Sequence, residues 1–93
     1  MTEEKIKAIE ALLETASHEH GKAFIDTDGD DPEWPAWYAK YLIENGINDL
    51  LPGSPDLDTL AIELSALDEE FRRSMPDEGW EEYWSPRLFA RFA

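Results

Sequence analysis

The sequence lacks cysteine and valine altogether, and only 8 of its 93 residues are basic. Without cysteine the chain can form no disulfide, thiolate zinc site, Fe–S cluster or thiol nucleophile. The other β-branched residues never occur in an alternating run, so no segment is predicted to be a strand. The first residues are acidic and polar, and no apolar run approaches the roughly 18 residues of a membrane span. These features predict a soluble, cytoplasmic protein without a signal peptide.

The charge is strongly of one sign, because 22 acidic residues against 8 basic ones give a formal net charge of −14. A field of this sign repels phosphate backbones and anionic membranes, which argues against direct binding to nucleic acid or to a membrane. It favours a basic protein partner. The simplest alternative is that the charge serves solubility alone.

Hydrophobic residues make up 42% of the chain and aromatic residues 12%, including four tryptophans. This composition is too apolar and too aromatic for a disordered chain. A chain of this length buries roughly two-thirds of its unfolded surface on folding, which is enough for one modest core. We therefore expect residues 1–93 to form a single acidic helical domain.

Hydrophobic periodicity predicts an all-α domain of three main helices followed by a short helical C-terminal segment. The first helix covers residues 2–20, and Gly21 is expected to stop it. The second helix is expected to begin with the pair Asp31-Pro32, as N-cap and first helical residue, and to end at Gly46. Its aromatic side chains form one wide stripe.

The third helix has the clearest pattern, because a large apolar residue recurs every three or four positions. The row consists of Leu57, Leu60, Leu64, Leu67, Phe71 and Met75. The pair Ser54-Pro55 is expected to start this helix and Pro76 to end it. In the last segment Ser85-Pro86 repeats the cap-and-proline pattern, which predicts one or two short helices there.

The stretch "DTDGDD" resembles the start of a calcium-binding EF-hand loop. Asp26, Asp28 and Asp30 match its first, third and fifth positions, but Asp31 stands where the turn needs glycine. Trp37 stands where the loop needs a bidentate glutamate. We therefore expect an acidic loop whose last aspartate caps a helix, with weak calcium binding as the alternative.

The two histidines of "HEH" invite a metal-binding or catalytic interpretation. In a helix, residues two apart do not share a face, so His20 is expected to lie with the apolar stripe and His18 with the glutamates. A small metal-dependent or acid–base enzyme that uses His18 and His20 with Asp26 and Asp28 is kept as an alternative. The chain contains no nucleophile elbow, P-loop or dinucleotide-binding motif, and no cofactor or metal is expected.

Most of the tryptophans are expected in the core, but tryptophan is also common at binding hot spots. The leading prediction is a non-enzymatic protein-interaction or accessory module that binds a basic or apolar protein partner, or itself, through an aromatic groove. The predicted partner-binding residues are Trp34, Trp37, Trp80, Trp84, Asp28 and Asp30. A less favoured alternative is a DNA mimic that inhibits a nucleic-acid-binding protein.

The segments "HEHGKAF" and "WPAWYAKYLIENG" carry a resemblance to a loose set of short bacterial proteins. These share His-Gly-x-aromatic, a variable gap, and Trp-x-x-Trp-Tyr-Ala-x-Tyr. The matching residues lie within positions 10–46 and are His20, Gly21, Phe24 (displaced by one), Trp34, Trp37, Tyr38, Ala39 and Tyr41. This chain departs from the pattern by its aspartate-rich insert. The resemblance implies a helical accessory or interaction module.

Overall fold

The computed structural model describes residues 2–25 and 32–92. The elements, in chain order, are α1 (Thr2–Ala23), α2 (Trp34–Glu44), a short 3-10 helix (Ile47–Asp49), α3 (Leu57–Ser74) and α4 (Trp80–Arg91). No strand occurs within these two ranges. The prediction of a small all-α protein is therefore confirmed. None of the helices in the described part of the chain is long and apolar enough to cross a lipid bilayer.

Within the described residues one hydrophobic core joins α1, α2, α3 and α4. In the described structure α2 packs mainly against α3, while α1 packs mainly against α4. The side chains with no exposed surface are Ile9, Leu13, Ala16, Ala39, Leu42, Ile47, Leu60, Leu64, Leu67 and Leu88. The middle of the predicted leucine row on α3 is thus at the centre of the core.

The first helix runs past Gly21, where the sequence was expected to stop it. The Phe24 backbone N–H donates a hydrogen bond to the His20 carbonyl at 3.0 Å, and the two rings stack with centroids 4.6 Å apart. A glycine inside a helix costs only about 1 kcal/mol. The contact between the His20 and Phe24 rings, one turn apart across Gly21, offsets that cost and holds the last turn helical.

The second helix begins later than predicted. Its N-cap is Glu33 and its first helical residue is Trp34, while Pro32 lies in a turn before the helix. Pro35 lies in the first turn, where the missing N–H has no intrahelical partner to lose. The helix ends as predicted, because Gly46 has φ 93°, a left-handed conformation that glycine adopts without steric cost.

The third helix is capped by Asp56 rather than by Ser54, so the expected start at Ser54-Pro55 is wrong. The Asp56 carboxylate accepts a hydrogen bond from the Thr59 backbone N–H at 2.8 Å. An aspartate placed three residues before a free N–H is a strong N-cap, and it sets the boundary. Met75, with φ 45°, ends the helix, and its side chain is exposed rather than part of the buried row.

The C-terminal segment is one helix that continues through Pro86, so Ser85-Pro86 is not a cap pair. Pro86 has no N–H to offer the carbonyl one turn earlier. Nearby, the Arg87 guanidinium donates to the Tyr83 carbonyl at 2.9 Å and lies 3.6 Å from the centre of the Tyr83 ring. These contacts, with the burial of Tyr83 and Ser85, hold α4 together across the proline.

Candidate protein-binding site

Aromatic side chains from the end of α1 and the residue after it, from α2 and from α4 form one continuous layer of rings. Its members are His20, Phe24, Trp34, Trp37, Tyr38, Tyr41, Trp80 and Trp84. Neighbouring ring centroids lie 4.5 to 6.3 Å apart. Aromatic pairs at such separations contribute about 0.5–1.5 kcal/mol each beyond the area they bury. The layer therefore ties the C-terminal end of α1 and the N-terminal half of α4 to α2.

His20 lies inside this layer. Its side chain is buried, stacks on Phe24 and on Tyr38, and meets the edge of Trp37 at a centroid distance of 4.9 Å. His18 is exposed. The prediction that the two histidines lie on different faces of α1 is confirmed, and they do not converge on one site. Within residues 2–25 and 32–92 no group of three or more His, Asp or Glu side chains could hold a metal ion.

The four tryptophans fall into two places. Trp34, Trp80 and Trp84 pack together between α2 and α4, with Trp80 4.5 Å and Trp34 5.9 Å from Trp84 between ring centroids. Trp84 is 3% exposed, so it contributes packing rather than a surface that a partner could reach. Trp37 lies apart from this cluster, stacked on Tyr41 at 5.4 Å, and it reaches the surface.

A shallow groove of about 290 Å³ opens beside Trp37. It is lined by Phe24, Glu33, Ala36, Trp37, Lys40 and Leu57. These residues come from the chain after α1, from the start and outer face of α2, and from the first turn of α3. The apolar members are Phe24, Ala36, Trp37 and Leu57, and we call the site the Trp37 groove.

The charges at the edge of the groove are of both signs. Glu33 lies at the N-terminal end of α2, and Lys40 lies two turns further along the same helix. Asp56, next to Leu57 in the chain, is ionised more readily than usual, because hydrogen bonds from the Thr59 N–H and hydroxyl lower its pKa. The Trp37 groove is thus apolar in the middle and charged at its ends.

Of the residues that line the groove, Trp37 alone was among the predicted site residues. Five lining residues were not predicted there: Phe24, Glu33, Ala36, Lys40 and Leu57. Leu57 was expected in the core because it belongs to the regular row of α3. In the structure it is 38% exposed, because it is the first helical residue of α3 and lines the open groove instead of the core. Its position immediately after the capping Asp56 is the sequence signal that distinguishes it from the buried Leu60 and Leu64.

The aspartate-rich stretch lies outside the described residues. The predictions made for Asp26, Asp28 and Asp30 therefore stay predictions, including the absence of a tight calcium site. The prediction that Asp31 caps the second helix is wrong, because Glu33 is the N-cap. Phe24, before the stretch in the chain, and Glu33, after it, both line the Trp37 groove.

Comparison of the chain with protein-family models, with curated proteins and with solved structures finds no match. The resemblance to the set of short bacterial proteins stays a prediction. Four residues that carry it, His20, Phe24, Trp37 and Tyr38, contact one another as rings in the structure. The site is therefore interpreted from its own geometry.

Proposed function

We propose that the protein is a non-enzymatic protein-interaction module and that its partner binds in the Trp37 groove. The observation that supports this is the lining of the groove. Phe24, Trp37 and Leu57 bring apolar surface from three parts of the chain into one open site, on a protein of net charge −14. Aromatic anchors at the centre of a patch with charged residues at its edge are typical of protein interfaces.

The partner we propose is a protein segment that carries a large apolar side chain next to a basic residue. The apolar side chain would fill the groove against Trp37 and Leu57. The basic residue would lie near Glu33, at the acidic end of the groove. The negative field of the whole molecule would increase the rate at which such a segment is captured, more than it would increase the final affinity.

A substitution at Leu57 tests the groove directly. Leu57→Asp places a charge on the groove wall, yet an aspartate in the first turn of α3 is favoured by the helix dipole, so the fold is expected to survive. Ile62→Asp makes the same chemical change at an exposed apolar residue of α3 that does not line the groove. It is the matched control.

The probe is a displayed library of short peptides, each with one fixed Trp or Phe and one fixed Lys or Arg. Selected peptides are titrated against wild-type protein and both variants by calorimetry. We expect the peptides to bind wild type and Ile62→Asp equally, and Leu57→Asp at least tenfold more weakly, which corresponds to about 1.4 kcal/mol. Equal binding to all three proteins, or an equal loss in the two variants, would contradict the proposal.

A further inference from the structure

The residues that α2 contributes to the groove follow one another in a pattern that is complementary to itself. Glu33, Ala36, Trp37 and Lys40 stand at positions i, i+3, i+4 and i+7, so they share one face of the helix. That face lies opposite the buried Leu42. Over about 10.5 Å, the rise of seven residues, it changes from acidic through apolar to basic. We call these four residues the α2 face.

If two α2 faces lie antiparallel, the acidic end of each meets the basic end of the other, and their apolar middles are in contact. A two-fold axis through the midpoint between Ala36 and Trp37 sets Glu33 against Lys40 of the partner subunit, and the same pair forms a second time by symmetry. The two Trp37 side chains would then meet near the axis, each against the apolar middle of the other helix. An interface of this kind, in which one patch binds an identical patch, is the usual geometry of two-fold dimers.

We propose that the α2 face is a homodimer interface, with a second copy of this chain as the occupant of the Trp37 groove. The inference rests on the proposed function, because the second copy supplies the apolar anchor, Trp37, beside the basic residue, Lys40. Lys40 is exposed and forms no ion pair with the residues that the structure describes. Its ammonium group can therefore form an ion pair with a carboxylate of another chain.

The net charge makes this dimer sensitive to salt in a particular direction. Two bodies of charge −14 repel each other at long range, and salt screens that repulsion, since the Debye length falls from about 30 Å at 0.01 M to about 8 Å at 0.15 M. The ion pairs at contact are screened less. We expect the dimer to strengthen as sodium chloride rises to about 0.3 M, whereas a basic partner would bind more weakly.

The size of the face sets the concentration at which the dimer should be sought. A standard interface uses roughly 20–30 residues a side, and the groove has six lining residues, so the contact belongs to the weak class. We expect a dissociation constant of about 10 µM to 1 mM. Sedimentation equilibrium at protein concentrations up to about 1 mM covers that range.

The decisive experiment is a charge exchange across the proposed axis. Lys40→Glu and Glu33→Lys should each weaken self-association at least tenfold, since either change sets like charges against each other twice. An equimolar mixture of the two variants should form a heterodimer, because one chain then carries acidic side chains at both positions and the other carries basic ones. The double variant Glu33→Lys/Lys40→Glu should dimerise like wild type.

The controls distinguish the effect of the Glu33–Lys40 ion pairs from the effect of a change in net charge. Lys5→Glu and Glu3→Lys make the same charge changes on exposed residues of α1, outside the α2 face. They should leave the dissociation constant within about twofold of wild type at the higher salt concentration, where long-range repulsion is screened. Circular dichroism checks that each variant is folded. If Glu33→Lys, at the helix cap, fails to fold, Lys40→Glu against Lys5→Glu still decides the question.

A wild-type protein that stays monomeric at about 1 mM in about 0.3 M sodium chloride would overturn the homodimer. So would a Lys40→Glu variant that dimerises as well as Lys5→Glu, or dimerisation that weakens steadily with salt. The peptide titration with Leu57→Asp and Ile62→Asp is independent of these results. Failure of the dimer with retained peptide binding removes this inference alone, while failure of the peptide binding removes the proposed function.

Discussion

The Gly53 backbone lies against the main-chain carbonyl of Phe92, so close that a Cβ at position 53 would come within 2.9 Å of that oxygen. This contact packs the loop before α3 against the end of α4. Backbone, unlike a flexible side chain, cannot move aside without disturbing the helix end. The absence of a side chain at Gly53 is therefore a packing requirement.

Gly53→Ala should lower the free energy of unfolding by about 1–3 kcal/mol, the usual cost of an extra group in a packed site. Gly21→Ala is the matched control, because a Cβ at Gly21 meets nothing within 4 Å. That change, within α1, should raise the free energy of unfolding by up to about 1 kcal/mol. Urea unfolding measures both, and two shifts of the same sign would contradict the prediction.

Substitution of Leu64 tests how much the packing of the core contributes to stability. Its side chain has no exposed surface, so Leu64→Ala should remove about 2–4 kcal/mol from the free energy of unfolding by leaving a cavity. Ile62→Ala, two residues earlier and 67% exposed, should stay within about 0.5 kcal/mol of wild type. A loss below about 1 kcal/mol at Leu64 would show that the core relaxes around the change.

The Asp56 cap predicts a specific dependence on pH. Because hydrogen bonds from Thr59 lower the folded-state pKa of Asp56, its ionised form stabilises the fold above the ordinary carboxyl pKa of about 4. That contribution is lost as the pH falls through the lowered pKa. Asp56→Asn keeps a capping oxygen that does not titrate.

Wild type should therefore lose stability relative to Asp56→Asn as the pH is lowered from about 5 to 2. Thermal unfolding across that range measures the difference. Asp56→Ala, which removes the cap, should melt below both at pH 7. A difference between wild type and Asp56→Asn that does not change with pH would argue against the cap as the cause.

For Glu10 we predict the opposite dependence of stability on pH. Partial desolvation raises its pKa, and the carboxylates of Glu82, Glu14 and Glu81 raise it further, against the nearby Lys7. The stabilising contribution of its protonated form is present below the ordinary carboxyl pKa and is lost as the pH rises through the raised one. At pH 7 the ionised Glu10 therefore opposes folding.

Glu10→Gln should raise the melting temperature at pH 7, and the gain should shrink at pH 3, where wild-type Glu10 is protonated. Sodium chloride should also reduce the gain, since it screens the repulsion. Glu3→Gln is the control, because an acid in the first turn of α1 is favoured by the helix dipole and its removal should bring no gain. A gain that is the same at pH 3 and pH 7 would contradict this explanation.

Periodicity was enough to predict that the chain is helical and that Leu60, Leu64 and Leu67 of α3 meet in the core, because burial on a helix repeats with the turn of the helix. It was wrong for Leu57, which belongs to the same row and is exposed. The helix boundaries were harder, since Ser54-Pro55 and Ser85-Pro86 are identical as local signals. At the first pair Asp56 offers a better cap two residues later. At the second pair, the contacts between Tyr83 and Arg87 stabilise a helix that continues past Pro86.

The candidate site could be predicted only in part. The sequence shows that Trp34 and Trp37 are neighbours on one helix, but it does not show which of them packs against α4. That depends on how the helices cross, and the crossing places Trp34 on Trp84 and leaves Trp37 beside the groove. Leu57 was missed for the same reason, because the crossing of the helices also decides that the first turn of α3 borders the groove.

The pairing of α1 with α4 has a consequence for synthesis on the ribosome. The two helices that cover each other, α1 and α4, are separated in the chain by residues 24–79. At about 5–20 residues per second, the nascent chain carries α1 for about 3–11 s before α4 begins to be made. During that time the apolar stripe of α1, with Ile9 and Leu13, has no α4 to cover it. The contact between α1 and α4 can form only after α4 has been made, and until then the negative charge of the chain would disfavour association with other unfinished chains.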